Sequence, residues 1–150
     1  MPYGRESECS PKTRDVTTNI NLVATTIHYL FGRVNPVLVG ASLGGHIALQ
    51  YVVQNPGHGL LLIAPMGTLE FRGHPRLEMR VRVIYGSRDR IVPRGEMRAF
   101  VRSLPNAELV VYEGANHPAY LGYASRFKED VLTTYRQCSE HPETREGTKI

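Results

Sequence analysis

Apolar residues recur along the chain in two different spacings, and these spacings predict helices that alternate with buried strands. Between residues 17 and 31 the apolar side chains return every three or four positions, which is typical of an amphipathic helix that Gly32 would end. Short continuous apolar runs indicate strands that are covered on both faces. Four such strands are predicted, at residues 36–41, 60–64, 81–85 and 108–112.

Helices are predicted after three of these strands. They span residues 44–54, 95–104 and 120–135, and Pro56 and Pro105 would end the first two. Strands that alternate with helices predict the α/β class, with a mostly parallel sheet, helices on both faces and right-handed crossovers.

Two segments depart from this alternation. Glycines and a proline interrupt residues 65–80, so we expect at most a turn or two of helix there and no cap domain. Residues 139–150 are polar and are predicted to form a terminal tail, which assigns residues 1–138 to the folded domain. No apolar run reaches the roughly 18 residues that a membrane-spanning helix needs.

Composition changes this picture little. The 150 residues are 41% hydrophobic and 21% charged, as in an ordinary single globular domain. The net charge of +4 comes mainly from arginines, which could bind nucleic acid. No nucleic-acid motif accompanies them, and Arg94, Arg98 and Arg102 are spaced to line one exposed helix stripe. We therefore expect a solvated surface and no nucleic-acid partner.

The cysteines and the amino-terminal segment carry little chemistry. Cys9 and Cys138 lie far apart without metal-ligand spacing, so we expect free thiols, no zinc site and no disulfide scaffold. Residues 1–15 contain no apolar segment of the kind found in secretory signals. An intracellular location is the resulting expectation.

The first segment that suggests a catalytic site is Gly40-Ala41-Ser42-Leu43-Gly44. It fits the G-x-S-x-G pattern and lies at a predicted strand-to-helix turn. In such a turn the serine is pushed out of the sheet, and we expect Gly40 and Gly44 to be small because the backbone is crowded there. Ser42 is then a candidate nucleophile. The alternatives are that Ser42 only caps the following helix or that the glycines form a phosphate loop, although no lysine follows them.

A serine nucleophile needs a histidine base that an acid orients. Asp89 follows the third predicted strand and His117 follows the fourth, so both should lie at the same sheet edge as Ser42. Glu113 is a second candidate for the acid. The remaining histidines follow no core strand, and Asp130 is predicted to be a helix-end or surface acid.

Three segments resemble the α/β-hydrolase superfamily: GASLGG at 40–45, YGSRDRIVP at 85–93 and GANHPAYL at 114–121. The last segment and the short crossover after residue 65 look most like the α/β-hydrolase domain-containing protein 14 family. That resemblance implies a small serine hydrolase of the cytosol or nucleus that acts on short acyl esters and is associated with removal of acetyl groups from lysine.

The resemblance also assigns roles to individual residues. It implies Ser42 as the nucleophile, Asp89 as the orienting acid and His117 as the general base. The backbone N–H of Leu43 would donate one hydrogen bond to the oxyanion. No metal or organic cofactor is needed for this chemistry.

The front of the chain departs from the family plan, in which four strands precede the strand that carries the serine. Here only about 35 residues precede that strand, which is too few for four strands. The segment Pro2-Tyr3-Gly4-Arg5 resembles the loop that follows the fourth strand in the family. We therefore expect a partial domain without its first strands, in which the second oxyanion donor has no candidate. The expected partner is a small acyl substrate, and the protein would be a monomer if the missing part is present.

Two functions follow. The first is a serine hydrolase acting on small acyl esters or amides through an acyl-enzyme. The alternative, which the missing second oxyanion donor motivates, is a catalytically impaired truncated isoform or incomplete gene model that works as an interaction protein. The first strand would also be left as an exposed apolar edge that could pair with another chain.

Overall fold

The computed structural model describes residues 16–140. Within that range α-helices and strands alternate, as the apolar spacing predicts. The elements are α1 (Val16–Phe31), β1 (Val37–Ala41), α2 (Leu43–Gln54), β2 (Gly59–Ile63), a 3₁₀ helix (Thr68–Phe71), β3 (Arg80–Gly86), α3 (Arg94–Arg102), β4 (Ala107–Tyr112) and α4 (Ala124–Glu140).

The strands form one parallel sheet in the order β1-β2-β3-β4. Ala41 at the end of β1 is level with Ile63 and, through it, with Ile84 of β3. Because the strands are parallel, their carboxyl ends meet at one edge of the sheet. The predicted α/β class is confirmed.

Two apolar layers sandwich the sheet. Leu60 and Leu62 of β2 face the layer formed by α2 and α3, whereas Leu61 and Ile63 face the layer formed by α4. All five residues of β2 are buried, which explains why its sequence is continuously apolar rather than alternating. α1 adds to the first layer through Val23, Ala24 and Ile27.

The last helix begins and ends later than its pattern predicts. It spans Ala124–Glu140 rather than 120–135. Gly122 has a φ of 79°, and the N–H of Tyr123 bonds to the carbonyl of Tyr120, so residues 120–123 form a turn. The helix also includes residues 139 and 140 of the predicted tail, whereas residues 141–150 lie outside the described residues.

Asp130 is largely withdrawn from solvent and lies in the middle of α4, which corrects its prediction as a helix-end or surface acid. Its side chain is 13% exposed, and it accepts hydrogen bonds from Arg82 at 2.6 Å and from the hydroxyl of Tyr112 at 2.6 Å. Arg82 lies in the middle of β3 and also pairs with Glu108. The burial of Arg82 on the α4 side of the sheet is therefore compensated by a carboxylate from α4.

The 3₁₀ helix is the one helical element of the crossover between β2 and β3, and side-chain hydrogen bonds hold this crossover against α2 and α3. The hydroxyl of the buried Thr68 donates to Glu96 of α3 at 2.7 Å. The Nδ1 of His46 in α2 lies 3.2 Å from the carbonyl of Met66. These contacts hold residues 64–71 against the end of the sheet where the candidate site lies.

The remaining predictions concern the exposure of the arginines, the state of the cysteines and membrane-spanning helices. Arg94, Arg98 and Arg102 are exposed, as predicted, and Cys138 is a buried free thiol. Cys9 and the segment at residues 2–5 lie outside the described residues. None of the described helices combines the length and apolar character that crossing a bilayer requires.

Candidate active site

Ser42 occupies a strained turn between β1 and α2. Its φ of 51° and ψ of −117° lie in a region that residues with a side chain rarely adopt. The turn is fixed by the N–H of Ser42, which bonds to the carbonyl of Ile63, and by the N–H of Met66, which bonds to the carbonyl of Ser42. The backbone therefore holds Ser42 at the carboxyl edge of the sheet.

The Ser42 hydroxyl makes no capping hydrogen bond to α2, although the residue occupies the N-cap position. This observation contradicts the alternative in which Ser42 serves as a helix cap, since a capping serine bonds to a free backbone N–H of the first turn. The hydroxyl is therefore not committed to α2.

The glycines of the turn differ from the prediction in one respect. A Cβ at Gly40 would lie 2.5 Å from the carbonyl oxygen of Gly44, so position 40 requires glycine. A Cβ at Gly44 would meet nothing within 4 Å, and the expectation that Gly44 must itself be small is wrong. Gly45 is the second crowded position, because its Cβ would lie 2.8 Å from the Cβ of Pro65. The sequence shows two consecutive glycines but not which one the fold crowds.

Leu43 is the first residue of α2. Its N–H is therefore one of the four that an α-helix leaves without an intrahelical partner. The N–H groups of Gly45 and His46 are taken by the carbonyl of Ser42. Leu43 thus offers a backbone donor directly beside Ser42, and its bond to an oxyanion stays a prediction.

Asp89 and His117 form a hydrogen-bonded pair. The Nδ1 of His117 lies 2.7 Å from Oδ2 of Asp89, whose side chain is fully buried, while that of His117 is 14% exposed. A carboxylate only accepts, so Nδ1 carries the proton and donates it to this bond. In the neutral imidazole this bond leaves the lone pair on Nε2, which is the atom that a general base uses.

The Asp89 carboxylate is oriented by the backbone around it. Its Oδ1 accepts hydrogen bonds from the N–H groups of Ile91 at 2.8 Å and Val92 at 3.0 Å. The buried hydroxyl of Tyr85 donates to the carbonyl of Val92 at 2.9 Å and pins the end of the same loop. Both carboxylate oxygens are therefore occupied. Glu113 is exposed, and it is Asp89 that pairs with His117.

The loop that carries His117 folds back over the end of β3. The hydroxyl of Ser87 accepts from the N–H of Gly114 at 2.8 Å, and the N–H of Arg88 donates to the carbonyl of Ala115 at 2.9 Å. A Cβ at Gly86 would lie 2.5 Å from that same carbonyl oxygen. Since β4 is three strands from β1, this folding back brings the His117 loop over the end of β3 and so nearer to the strand that precedes Ser42. Sequence reasoning missed Ser87 and Tyr85, because serine in a turn and tyrosine in a strand are common.

Three further features bear on whether the described residues hold a second site: metal-ligand groups, a cavity and a part-buried histidine contact. No group of three or more histidine, cysteine or acidic side chains within residues 16–140 could hold a metal ion. A cavity of about 320 Å³ lies between the ends of α1 and α2, at the opposite edge of the sheet from His117. His58 donates to the carbonyl of Cys138 at 2.5 Å and serves the packing of α4.

Comparison of sequences finds two related proteins and no matching family model. Human ABHD14A is 34% identical over 91 residues, which cover 58% of this chain and 33% of that protein. Rat ABHD14B is 31% identical over 101 residues, which cover 64% of this chain and 47% of that protein. The chain thus spans between a third and a half of the length of these relatives.

Comparison of structures finds α/β-hydrolases. An α/β-hydrolase from a lagoon-sediment metagenome superposes with a TM-score of 0.70 at 20% identity, covering 87% of this chain and 74% of that one. A thermophilic esterase from Thermogutta terrifontis gives a TM-score of 0.73 at 17% identity, with 89% and 76% covered. An α/β serine hydrolase homologue from Coxiella burnetii gives 0.69 at 18%, with 86% and 64% covered. The chain therefore has the α/β-hydrolase fold, and in sequence it is similar to the ABHD14 proteins.

Proposed function

We propose that the chain is a serine hydrolase of small acyl esters or amides. The observation that carries the proposal is the 2.7 Å bond between His117 and the buried Asp89, formed at the sheet edge where the uncommitted hydroxyl of Ser42 lies. The hydrolases and esterases among the structural neighbours support the same reaction class.

The proposed reaction proceeds in two stages. Nε2 of His117 accepts the proton of Ser42 as the hydroxyl oxygen attacks the acyl carbon, and the Leu43 N–H donates to the oxyanion that forms. The protonated His117, stabilised by Asp89, then delivers its proton to the leaving group. Water attacks the resulting acyl-enzyme by the same route in reverse and releases the acid and the free serine.

The finer substrate assignment rests on a relative. The name of rat ABHD14B suggests that this relative removes acyl groups from protein lysines. An acyl-lysine amide is therefore a candidate substrate here beside simple esters. A cytosolic or nuclear location remains a prediction.

The test is covalent labelling with a fluorophosphonate probe together with p-nitrophenyl acetate turnover. We expect labelling of the wild type, none of Ser42→Ala, and a loss of turnover on the order of 1,000-fold or more in that variant. Ser125→Ala removes a serine on the exposed start of α4 and serves as the matched control. Equal labelling of wild type and Ser42→Ala would refute the proposal.

A second candidate function is interaction through β1. Within the described residues β1 is an edge strand, and Val39 in its middle is 50% exposed. Tyr29, Leu30 and Phe31 at the end of α1 are more than half exposed as well. An apolar edge strand is a template for pairing with another strand.

In a solution of the purified chain, the partner available to β1 is a second copy. We expect the chain to dimerise as its concentration rises in sedimentation experiments. Val39→Lys should weaken the dimer, whereas the control Leu132→Lys, which changes an exposed position on α4, should not. A sedimentation coefficient that stays monomeric as concentration rises would remove this candidate, and ester turnover abolished by Ser42→Ala would favour the first.

A further inference from the structure

Four exposed large apolar side chains lie on the segments at the sheet edge that carries the candidate site. Met66, Leu69, Ile91 and Leu121 are 44%, 61%, 65% and 61% exposed, and we call them the apolar rim. Each lies on a segment that follows the carboxyl end of β2, β3 or β4, which is the edge that also carries Ser42, Asp89 and His117.

Direct backbone contacts tie three rim residues to the catalytic segments. The N–H of Met66 bonds to the carbonyl of Ser42, and that of Ile91 bonds to the Asp89 carboxylate. The N–H of Leu121 bonds to the carbonyl of Pro118, the residue after His117. The backbone of one large apolar residue is thus tied directly to the segment that carries each proposed catalytic residue.

The crossover contacts hold Met66 in place rather than leaving it on a free loop. Its carbonyl lies 3.2 Å from His46 Nδ1, and its N–H is occupied by Ser42. A Cβ at Gly67 would lie 2.9 Å from the same His46 nitrogen, so the segment after Met66 is closely packed. Exposing this firmly held apolar surface to water costs free energy, and no packing within the described residues offsets that cost. Contact with an apolar ligand would offset it.

We propose that the apolar rim binds the aliphatic chain of an ester or amide whose carbonyl is attacked by Ser42. The inference rests on the proposed hydrolase function and adds a preference for chains longer than acetyl. The shared chemistry is an aliphatic chain next to the reacting carbonyl, whether that chain belongs to the acyl group or to the leaving group.

Kinetics on two matched substrate series test the proposal. The first varies the acyl chain of p-nitrophenyl esters from two to six carbons, and the second varies the alcohol of acetate esters from methyl to hexyl. If the rim removes each added methylene from water, kcat/KM rises about twofold to fourfold per methylene in the series whose chain the rim binds.

Met66→Ser and Leu121→Ser should flatten that rise, measured in each variant as the ratio of kcat/KM for the six-carbon ester to kcat/KM for the shortest ester of the same series. Leu132→Ser is the matched control, because Leu132 is 42% exposed on α4, and it should leave the rise unchanged. The rim proposal fails if the slope in both series survives Met66→Ser and Leu121→Ser, even though Ser42→Ala abolishes turnover.

A binding experiment separates this outcome from failure of the proposed function. The methyl NMR signals of Met66, Ile91 and Leu121 are followed in the Ser42→Ala variant during titration with methyl hexanoate and with hexyl acetate. We expect these three signals to shift and that of Leu132 to stay in place. If all four shift alike or none does, the rim binds no such chain, whatever the catalytic activity of the wild type.

Discussion

Alanine at Gly40 and at Gly44 should have opposite effects, although both residues belong to the same five-residue motif. At position 40 the new Cβ would lie 2.5 Å from the Gly44 oxygen, 2.7 Å from its carbonyl carbon and 2.8 Å from the Gly45 nitrogen. All three are backbone atoms, which cannot swing away as a flexible side chain could. The first turn of α2 would have to move relative to β1.

Overpacking of this kind costs about 1–3 kcal/mol, and we expect the upper end for Gly40→Ala because three backbone atoms are struck at once. Gly44→Ala meets nothing within 4 Å and replaces a poor helix former with the best one, which should add up to about 1 kcal/mol. The two variants should therefore differ by roughly 4 kcal/mol in the free energy of unfolding. At about 2–4 °C per kcal/mol for a chain of this size, the melting temperatures should lie roughly 8–16 °C apart.

Urea and thermal unfolding followed by far-ultraviolet circular dichroism measure both variants. Gly45→Ala is an informative third variant, because its Cβ would lie 2.8 Å from a proline side chain and should also destabilise the fold. Hydrolysis should follow the same order, since moving α2 displaces Ser42 and the Leu43 N–H together. If Gly44→Ala lowers the free energy of unfolding as much as Gly40→Ala does, the crowding assigned to β1 and α2 is wrong.

Three further predictions concern the network, the thiol and the coupling of the catalytic loops. Asp130→Ala removes the 2.6 Å partner of the buried Arg82, which then keeps only Glu108, and should lower the free energy of unfolding in urea by about 2–3 kcal/mol. Glu108→Ala should cost about 1 kcal/mol or less, because the Glu108 side chain is 40% exposed. Burial raises the pKa of the Cys138 thiol above 9.0 and the pKa of Tyr51, Tyr85 and Tyr112 above 10.0, so the unfolded chain loses these protons first. The free energy of unfolding should therefore fall as pH rises above about 9, and a flat dependence between pH 8 and 11 would contradict this burial. Ser87→Ala leaves the Gly114 N–H without its partner and should lower kcat/KM about tenfold and the free energy of unfolding by about 1 kcal/mol. Ser87→Thr keeps a hydroxyl at this position and should restore both quantities. Equal activity of the two variants would show that the Ser87 hydroxyl does not position His117.

Local hydrophobic patterns were sufficient to predict the strands of the sheet. A strand that is buried on both faces is continuously apolar, and Leu60-Leu61-Leu62 shows that property without reference to the rest of the chain. The end of α2 was equally predictable, because Pro56 cannot continue a helix. The start of α4 was not, since the positive φ of Gly122 belongs to a turn that the helix pattern conceals.

The buried charges show where local patterns stop being informative. Arg82 lies within an apolar strand, and its compensating Asp130 follows 48 residues later on α4, the helix that covers this face of the sheet. Nothing in the spacing of either residue indicates the other. A charge in a strand is tolerated because of its three-dimensional neighbours, which only the packing of α4 on the sheet provides.

By itself the sequence determined the α/β class, the strand-turn-helix around Ser42 and the order in which Ser42, Asp89 and His117 occur. These features depend on short-range rules of hydrophobic spacing and turn chemistry. The tertiary structure decided that Asp89 rather than Glu113 pairs with His117, that Gly45 rather than Gly44 is crowded, and that Ser87 ties the two loops together. Those outcomes depend on distances between segments far apart in the chain, and such distances are fixed only when the parallel strands bring their carboxyl ends to one edge.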